Sequence, residues 1–362
     1  MNVEPFSIEV PEATLADLRE RIGRTRWPAA SREAPWEQGT DLTYLRDLLA
    51  YWGDGFDWRA QERRLNVFDH FRAQVEGTWI HFVHLRRGGL PLILTHGWPS
   101  TFVEHLQLVP HLDGFDLVIP SLPGYGFSER PDRLTTRDTA RLWHRLMQGL
   151  GYERYGAQGG DFGASVTTHM ALEDPAPLIG IHLHQIDDRP PAGGPPATPA
   201  EQEYAAAVEA WDAVERGYSS IQSTKPQTVA YGLNDSPAGL AAWLVEKWRS
   251  WSDDLEAIDR DVLLTNLTLF WVTQTIGTSM RDYYDMRWHR QELQPGDRVR
   301  VPTAVALFAN ELVSEGTPPR EWAERLYDIR RWTEMPRGGH FAPAEQPELL
   351  ARDIRAFFTP LG

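Results

Sequence analysis

Asp161 stands in the run Gly159-Gly160-Asp161-Phe162-Gly163, between a short apolar segment and the helix-forming stretch Ala164–Leu172. A strand, a glycine-bracketed turn and a helix form a nucleophile elbow, which lifts one side chain above a parallel sheet. The glycines are needed because the turn is strained and a Cβ would meet neighbouring backbone. A carboxylate at the apex suits attack on a saturated carbon, with a leaving group displaced and an alkyl ester left on the chain. Taken alone, the same pattern also fits an Asp that caps the following helix.

Three further stretches bear on that choice. Thr95-His96-Gly97-Trp98-Pro99 follows an apolar run, where an oxyanion-hole loop belongs, although His96-Gly97 alone could be an ordinary turn. The second N–H of such a hole comes from the residue after the nucleophile, here Phe162. Arg337-Gly338-Gly339-His340-Phe341 places His340 on a loop suited to a general base, since imidazole titrates near neutral pH. Phe308-Ala309-Asn310-Glu311 ends the preceding strand signal and offers Glu311 as the acid that orients His340, with Glu315 and Glu334 as nearby rivals. The order Asp161, Glu311, His340 is nucleophile, acid, base. His182 with His184, and His81 with His84, are read as packing residues, because a metal site needs a third ligand. No metal or cofactor is expected.

These residues need a sheet to carry them. Thr14–Gly23, with Thr14 as cap, and Leu42–Trp52 have helical periodicity, forming a Trp-rich preface with Arg26-Trp27-Pro28 and Phe56-Asp57-Trp58. Phe71–Val75 and Trp79–His84 alternate around Glu76-Gly77 as a hairpin. Pro91–Thr95 and Asp116–Ile119 are short apolar runs, as strands buried on both faces should be. Helix Thr135–Leu150, strand Arg154–Gln158, helix Ala164–Leu172 and strand Leu178–His182 follow. That alternation predicts an α/β fold with a mostly parallel central sheet. Asp187–Pro199 is a Pro- and Gly-rich linker. Beyond it, Ala200–Arg216, Pro237–Trp251, Asp259–Thr275 and a segment near Tyr283 read as helices. Sheet signals return at Val301–Phe308 and Arg331–Met335, and Gln346–Phe358 closes as a helix. A helical block after the sixth strand reads as a cap. The expected units are a helical N-terminal extension (1–66), a first core part (67–186), the cap (187–294) and a second core part (295–362).

The 362 residues suffice for a large core with an insertion, and a net charge of −15 argues against nucleic acid or an anionic membrane as partner. With no cysteine, thiol catalysis and disulfides are excluded. Fifteen Trp hint at an aromatic-lined cavity. Met1–Val10 lacks a leader pattern and no run nears the ~20 apolar residues of a membrane span, so the expectation is a cytoplasmic chain without a membrane anchor.

Over essentially its whole length the chain resembles the microsomal-type epoxide hydrolases of the α/β-hydrolase superfamily. The resemblance rests on His96-Gly97-Trp98-Pro99, Gly159-Gly160-Asp161, Arg337-Gly338-Gly339-His340-Phe341, the N-terminal preface and, most specifically, the cap run Ile221–Ala242. It implies a soluble, anchor-free member that opens a small-molecule epoxide to a vicinal diol. Asp161 would form the ester, His340 with Glu311 would activate water, and the N–H groups of Trp98 and Phe162 would hold the oxyanion. The family uses two cap tyrosines to hold and protonate the epoxide oxygen. Tyr218, before Ile221-Gln222, and Tyr283, in Ser279-Met280-Arg281-Asp282-Tyr283-Tyr284, match them, with Tyr284 as rival and pocket residue beside Trp98 and Phe162. Phe162 replaces the family's usual Trp, which alters the pocket wall. Asp282 is a charge where an apolar residue is expected. Detoxification, catabolism and secondary metabolism all fit, and a homodimer is left open. A haloalkane dehalogenase is the alternative enzyme, although Phe162 lacks the ring N–H that would hold a halide. A non-hydrolytic receptor on the same fold is the alternative outside catalysis.

Overall fold

The computed structural model describes residues 1–186, 190–191, 194–310 and 317–362. Part of the expected linker, and the candidate acids Glu311 and Glu315, lie outside the described residues. The first element is a strand that no periodicity signalled, β1 (Val3–Phe6). It has four residues with Pro5 among them, too few for a pattern. It pairs only with β2 at the edge of the sheet, where the missing proline N–H is tolerated. The extension is therefore not wholly helical. Its helices are α1 (Glu12–Gly23), α2 (Leu42–Ala50) and α3 (Trp58–Leu65). Thr14 does not cap α1. Pro11 holds that position without a side-chain bond, whereas Asp41 caps α2 through the N–H groups of Thr43 and Tyr44.

The hairpin β2 (His70–Val75) and β3 (Thr78–Leu85) turns at Glu76 (φ 48°) and Gly77 (φ 87°). Six strands follow: β4 (Leu90–Thr95), β5 (Phe115–Pro120), β6 (Tyr155–Gly159), β7 (Leu178–Leu183), β8 (Pro302–Asn310) and β9 (Asp328–Gly339). Among the described residues they make one nine-stranded sheet in the order β1-β2-β3-β5-β4-β6-β7-β8-β9. The pairs from β1 to β5 through β3 are antiparallel, and those from β5 through β9 are parallel. β5, β6 and β7 are buried at every position, which is why they read as apolar or small-residue runs rather than alternations.

Between strands lie α4 (Phe102–Leu106), α5 (Thr136–Gly149) and α6 (Phe162–Glu173). α5 starts at a capping box in which Thr135 and Asp138 satisfy each other's backbone N–H groups. Between β7 and β8 come α7 (Pro199–Glu215), α8 (Gly217–Gln222), α9 (Pro226–Asp235), α10 (Pro237–Trp251), α11 (Arg260–Thr273) and α12 (Ile276–Trp288). Because β1 adds a strand, this block follows the seventh strand rather than the sixth. The chain ends with α13 (Arg320–Ala323), α14 (Ala342–Glu345) and α15 (Pro347–Phe358).

The N-terminal extension ties down the helical block. Tyr51 Oη and Gln61 Nε2 each donate to Asp261 at 2.8 Å, and Trp52 Nε1 donates to Thr268 Oγ1 at 2.9 Å. Thr40 Oγ1 donates to the Ala242 carbonyl at 2.6 Å, reaching α10. These bonds tie α10 and α11 to the N-terminal residues. No helix among the described residues is long and apolar enough to cross a membrane.

Candidate active site

Sheet register brings the chemistry together. Thr95 at the end of β4 pairs with Gly159 at the end of β6, so the two chains leave the sheet side by side at its carboxyl edge. Ligands of open α/β sheets gather at this edge. Three residues past Thr95 comes Trp98, and two past Gly159 comes Asp161. Asp161 has φ 52° and ψ −134°, a strained conformation for a residue with a side chain. A Cβ at Gly163 would lie 2.0 Å from the Thr95 carbonyl oxygen, so the helix can begin this close to β4 only because that residue is glycine.

The Asp161 side chain makes no capping bond to α6, which removes the helix-cap reading. Its Oδ1 instead accepts the Trp98 N–H at 2.7 Å. Its own N–H donates to Gln185 Oε1 at 2.7 Å, just beyond β7. Phe162 opens α6, so its N–H is one of the unpaired amides at the positive end of a helix, a setting that favours negative charge. His340 Nε2 lies 3.6 Å from Asp161 Oδ2. The His340 side chain is 4% exposed, and its backbone N–H donates to the Trp251 carbonyl at 2.8 Å.

Two of the candidate tyrosines pack against Trp98, whose N–H meets this carboxylate. Tyr218 lies parallel to Trp98 at 5.4 Å, and Tyr283 meets Trp98, Phe162 and Tyr218 edge-on at 5.6, 5.0 and 5.7 Å. Burial, then the neighbouring Tyr218 and the Asp161 carboxylate, push the Tyr283 phenol well above its ordinary range. At neutral pH it is a neutral phenol able to donate. The structure does not bring Tyr284 to this cluster. Its ring packs against Trp288 and His289 and is 37% exposed. Glu311 lies outside the described residues; Asn310, before it, pairs with Gly339, the residue before His340.

Several residues of the site had no sequence signal. Gln185 follows a strand in an unremarkable run. Trp251 closes α10 and packs against His340 at 4.9 Å and Tyr218 at 5.3 Å. Asp282, the unexpected charge beside Tyr283, pairs with Arg130, which also meets Asp285 at 2.8 Å. Arg130 is 2% exposed, so this is a buried ion cluster that ties the segment before α5 to α12. His96 accepts the Leu122 N–H at Nε2 and donates from Nδ1 to the Gly97 carbonyl, at 3.1 Å each. Burial lowers its pKa to about 4, so it is a neutral strut for the Trp98 loop.

Two buried carboxyls support the floor. Glu345 Oε1 accepts the N–H groups of Gly339 and Phe341, on either side of His340, at 3.2 and 3.1 Å. Its Oε2 accepts the Asp253 N–H at 2.8 Å, and burial raises its pKa to about 7. Glu104 accepts a short bond from Ser100 Oγ, and burial together with the Asp161 charge pushes it to about 8. His182 bonds Asp353 and His184 bonds Gln158. Among the described residues no three side chains converge as metal ligands.

The sequence matches the family "Epoxide hydrolase N terminus" over residues 3–105 and "alpha/beta hydrolase fold" over residues 91–212. A relative from Stigmatella aurantiaca, itself named only provisionally as an epoxide hydrolase, is 40% identical over 99% of this chain and 85% of its own. Epoxide hydrolase 1 of Oryctolagus cuniculus is 34% identical over 98% of this chain and 88% of its own. Among solved structures, juvenile hormone epoxide hydrolase from Bombyx mori superposes with a TM-score of 0.88 at 30% identity, covering 99% of this chain and 95% of its own. The Aspergillus niger epoxide hydrolase gives 0.88 at 29% identity, covering 100% and 97%.

Proposed function

The chain belongs to the epoxide hydrolases, and from that premise we propose that it opens its epoxide through a covalent ester on Asp161. Asp161 attacks an epoxide carbon while Tyr218 and Tyr283 hydrogen-bond the oxygen and supply its proton. Neutral phenols suit a developing alkoxide. His340 then takes a proton from a water that attacks the ester carbonyl carbon, and the N–H groups of Trp98 and Phe162 hold the resulting oxyanion. Glu311 orients His340. Its place directly after Asn310, the residue paired with Gly339, supports that role. In this reading Trp98 and Phe162 also wall the pocket. The units remain the extension (1–66), the cap (187–294) and a core split between 67–186 and 295–362.

One observation carries the reading: the Asp161 carboxylate, held on a strained turn, accepts the Trp98 N–H at 2.7 Å and faces His340 Nε2 at 3.6 Å. An N–H aimed at the carboxylate serves little purpose if water attacks the epoxide directly. It has a purpose if that carboxyl becomes an acyl centre. The experiment is His340→Gln with styrene oxide. It should accumulate an adduct on Asp161, seen by mass spectrometry, because alkylation survives and hydrolysis does not. Multiple turnovers without an adduct would sink the proposal.

A further inference from the structure

Lys247, on α10, has a side chain only 5% exposed. Burying an ammonium is costly unless its charge is answered. Glu246 Oε2 at 2.8 Å and Glu215 Oε2 at 3.2 Å answer it, and both are part-exposed. The third neighbour is aromatic. Lys247 Nζ lies 4.7 Å from the centre of the Tyr218 ring and 5.7 Å from that of Trp251. Trp98 stacks on the same Tyr218 ring. Tyr283 is placed differently, against Phe162, Trp98 and Tyr218, and among the described residues no cation lies over its ring.

We propose that Lys247 is a positioning residue for epoxide opening, whose charge over the Tyr218 ring makes Tyr218 the phenol that gives up its proton, leaving Tyr283 to donate a hydrogen bond. This rests on the reading of Tyr218 as one of the two acids. An ammonium at the ring face is drawn to the π electrons, and more strongly once the phenol carries negative charge. The attraction grows along the reaction, which is the condition for accelerating it. As the Asp161 ester bond forms and the epoxide C–O bond breaks, the alkoxide takes the Tyr218 proton. Of the two protons of the hydrolytic water, one then goes to the second hydroxyl of the diol and one returns to Tyr218, so the cycle closes without any other reactant.

The groups facing Tyr218 set the pH behaviour. Lys247 favours its phenolate. The carboxylates Glu215 and Glu246 that answer Lys247 oppose it, as does the Asp161 charge that also acts on Tyr283, whereas the neutral Tyr283 hydroxyl favours it as a donor. His340 lies beyond Trp251. Single-turnover alkylation by styrene oxide, followed by tryptophan fluorescence from pH 7 to 10.5, reads the balance. Lys247→Met should slow alkylation about tenfold, leave adduct hydrolysis unchanged and move the alkaline limb up by about one pH unit. Lys247→Arg should keep the limb where it is, and it carries the test if the Met variant does not fold. In a Tyr218→Phe background, Lys247→Met should add nothing. A slower rate with an unmoved limb, or a loss that persists without the Tyr218 hydroxyl, would mean a merely structural lysine and overturn the proposal. If Tyr218→Phe slows alkylation but Lys247→Met does not, only this inference fails. If Tyr218→Phe is itself silent, the reading of Tyr218 as an acid falls with it.

Discussion

Gly97 touches the proposed nucleophile more closely than any side chain could. A Cβ built there would sit 2.2 Å from Asp161 Oδ1, 2.4 Å from its Cβ and 2.6 Å from its Cγ. Ordinary carbon contacts need about 3.5 Å, so Gly97→Ala must drive loop and carboxylate apart by roughly 1 Å. The backbone has little room to absorb this, because Thr95 and Gly159 are paired and Gly163 lies so close to β4 that a Cβ there would meet the Thr95 carbonyl oxygen at 2.0 Å. The Asp161 carboxylate should yield and lose its 2.7 Å bond from the Trp98 N–H. A misplacement of about 1 Å costs on the order of 100-fold, and loss of an oxyanion donor 100- to 1,000-fold. Gly97→Ala should therefore slow alkylation at least 100-fold and hydrolysis of any adduct as well. Overpacking should cost stability only about 1–3 kcal/mol. Stopped-flow alkylation read beside a urea melt separates the two effects. Alkylation within threefold of the parent, on a folded protein, would refute the claim that this carboxylate is the attacking group.

Tyr283→Phe should slow alkylation about 10- to 100-fold and the double change with Tyr218→Phe should nearly abolish it, while Tyr284→Phe should be almost silent in the same assay. Arg130→Met leaves Asp282 and Asp285 buried without their cation, so a loss of about 3–5 kcal/mol is expected in urea, with slower alkylation as α12 lets Tyr283 drift. Glu104, raised from 4.5 to about 8 by burial, gives a pH test. The folded chain holds that proton through the window where the unfolded chain has released it, so its contribution is full below the unfolded value and fades as pH rises toward 8. Glu104→Gln should remove about 1.4 kcal/mol per pH unit of that downward slope, as measured by urea unfolding at pH 5.5 and 8.

Much of this was legible because local chemistry and global fold agree. The glycine-bracketed Asp161, the His340 loop and the Trp98 loop each follow a strand, and spacing along the chain is enough to find them. β1 escaped because four residues with an internal proline carry no alternation. Gln185, Trp251 and Arg130 escaped because their roles depend on tertiary approach from elsewhere in the chain. Asp282 was visible as an anomaly, but its partner lies 152 residues away, out of reach of any local pattern. The choice between Tyr283 and Tyr284 was a matter of helical phase. Tyr284 and Trp288, four residues apart, share the outer face of α12, so that spacing held the answer.

The covalent ester is the claim on which the rest depends, and an isotope tests it directly. With enzyme in excess over epoxide in ¹⁸O water, a single turnover should place the label in the Asp161 carboxyl. The new oxygen of the diol should be unlabelled, because it comes from the original carboxylate. Direct attack of an activated water on the epoxide gives the reverse pattern. Label in the first-turnover diol, with an unlabelled Asp161 peptide, would contradict the account.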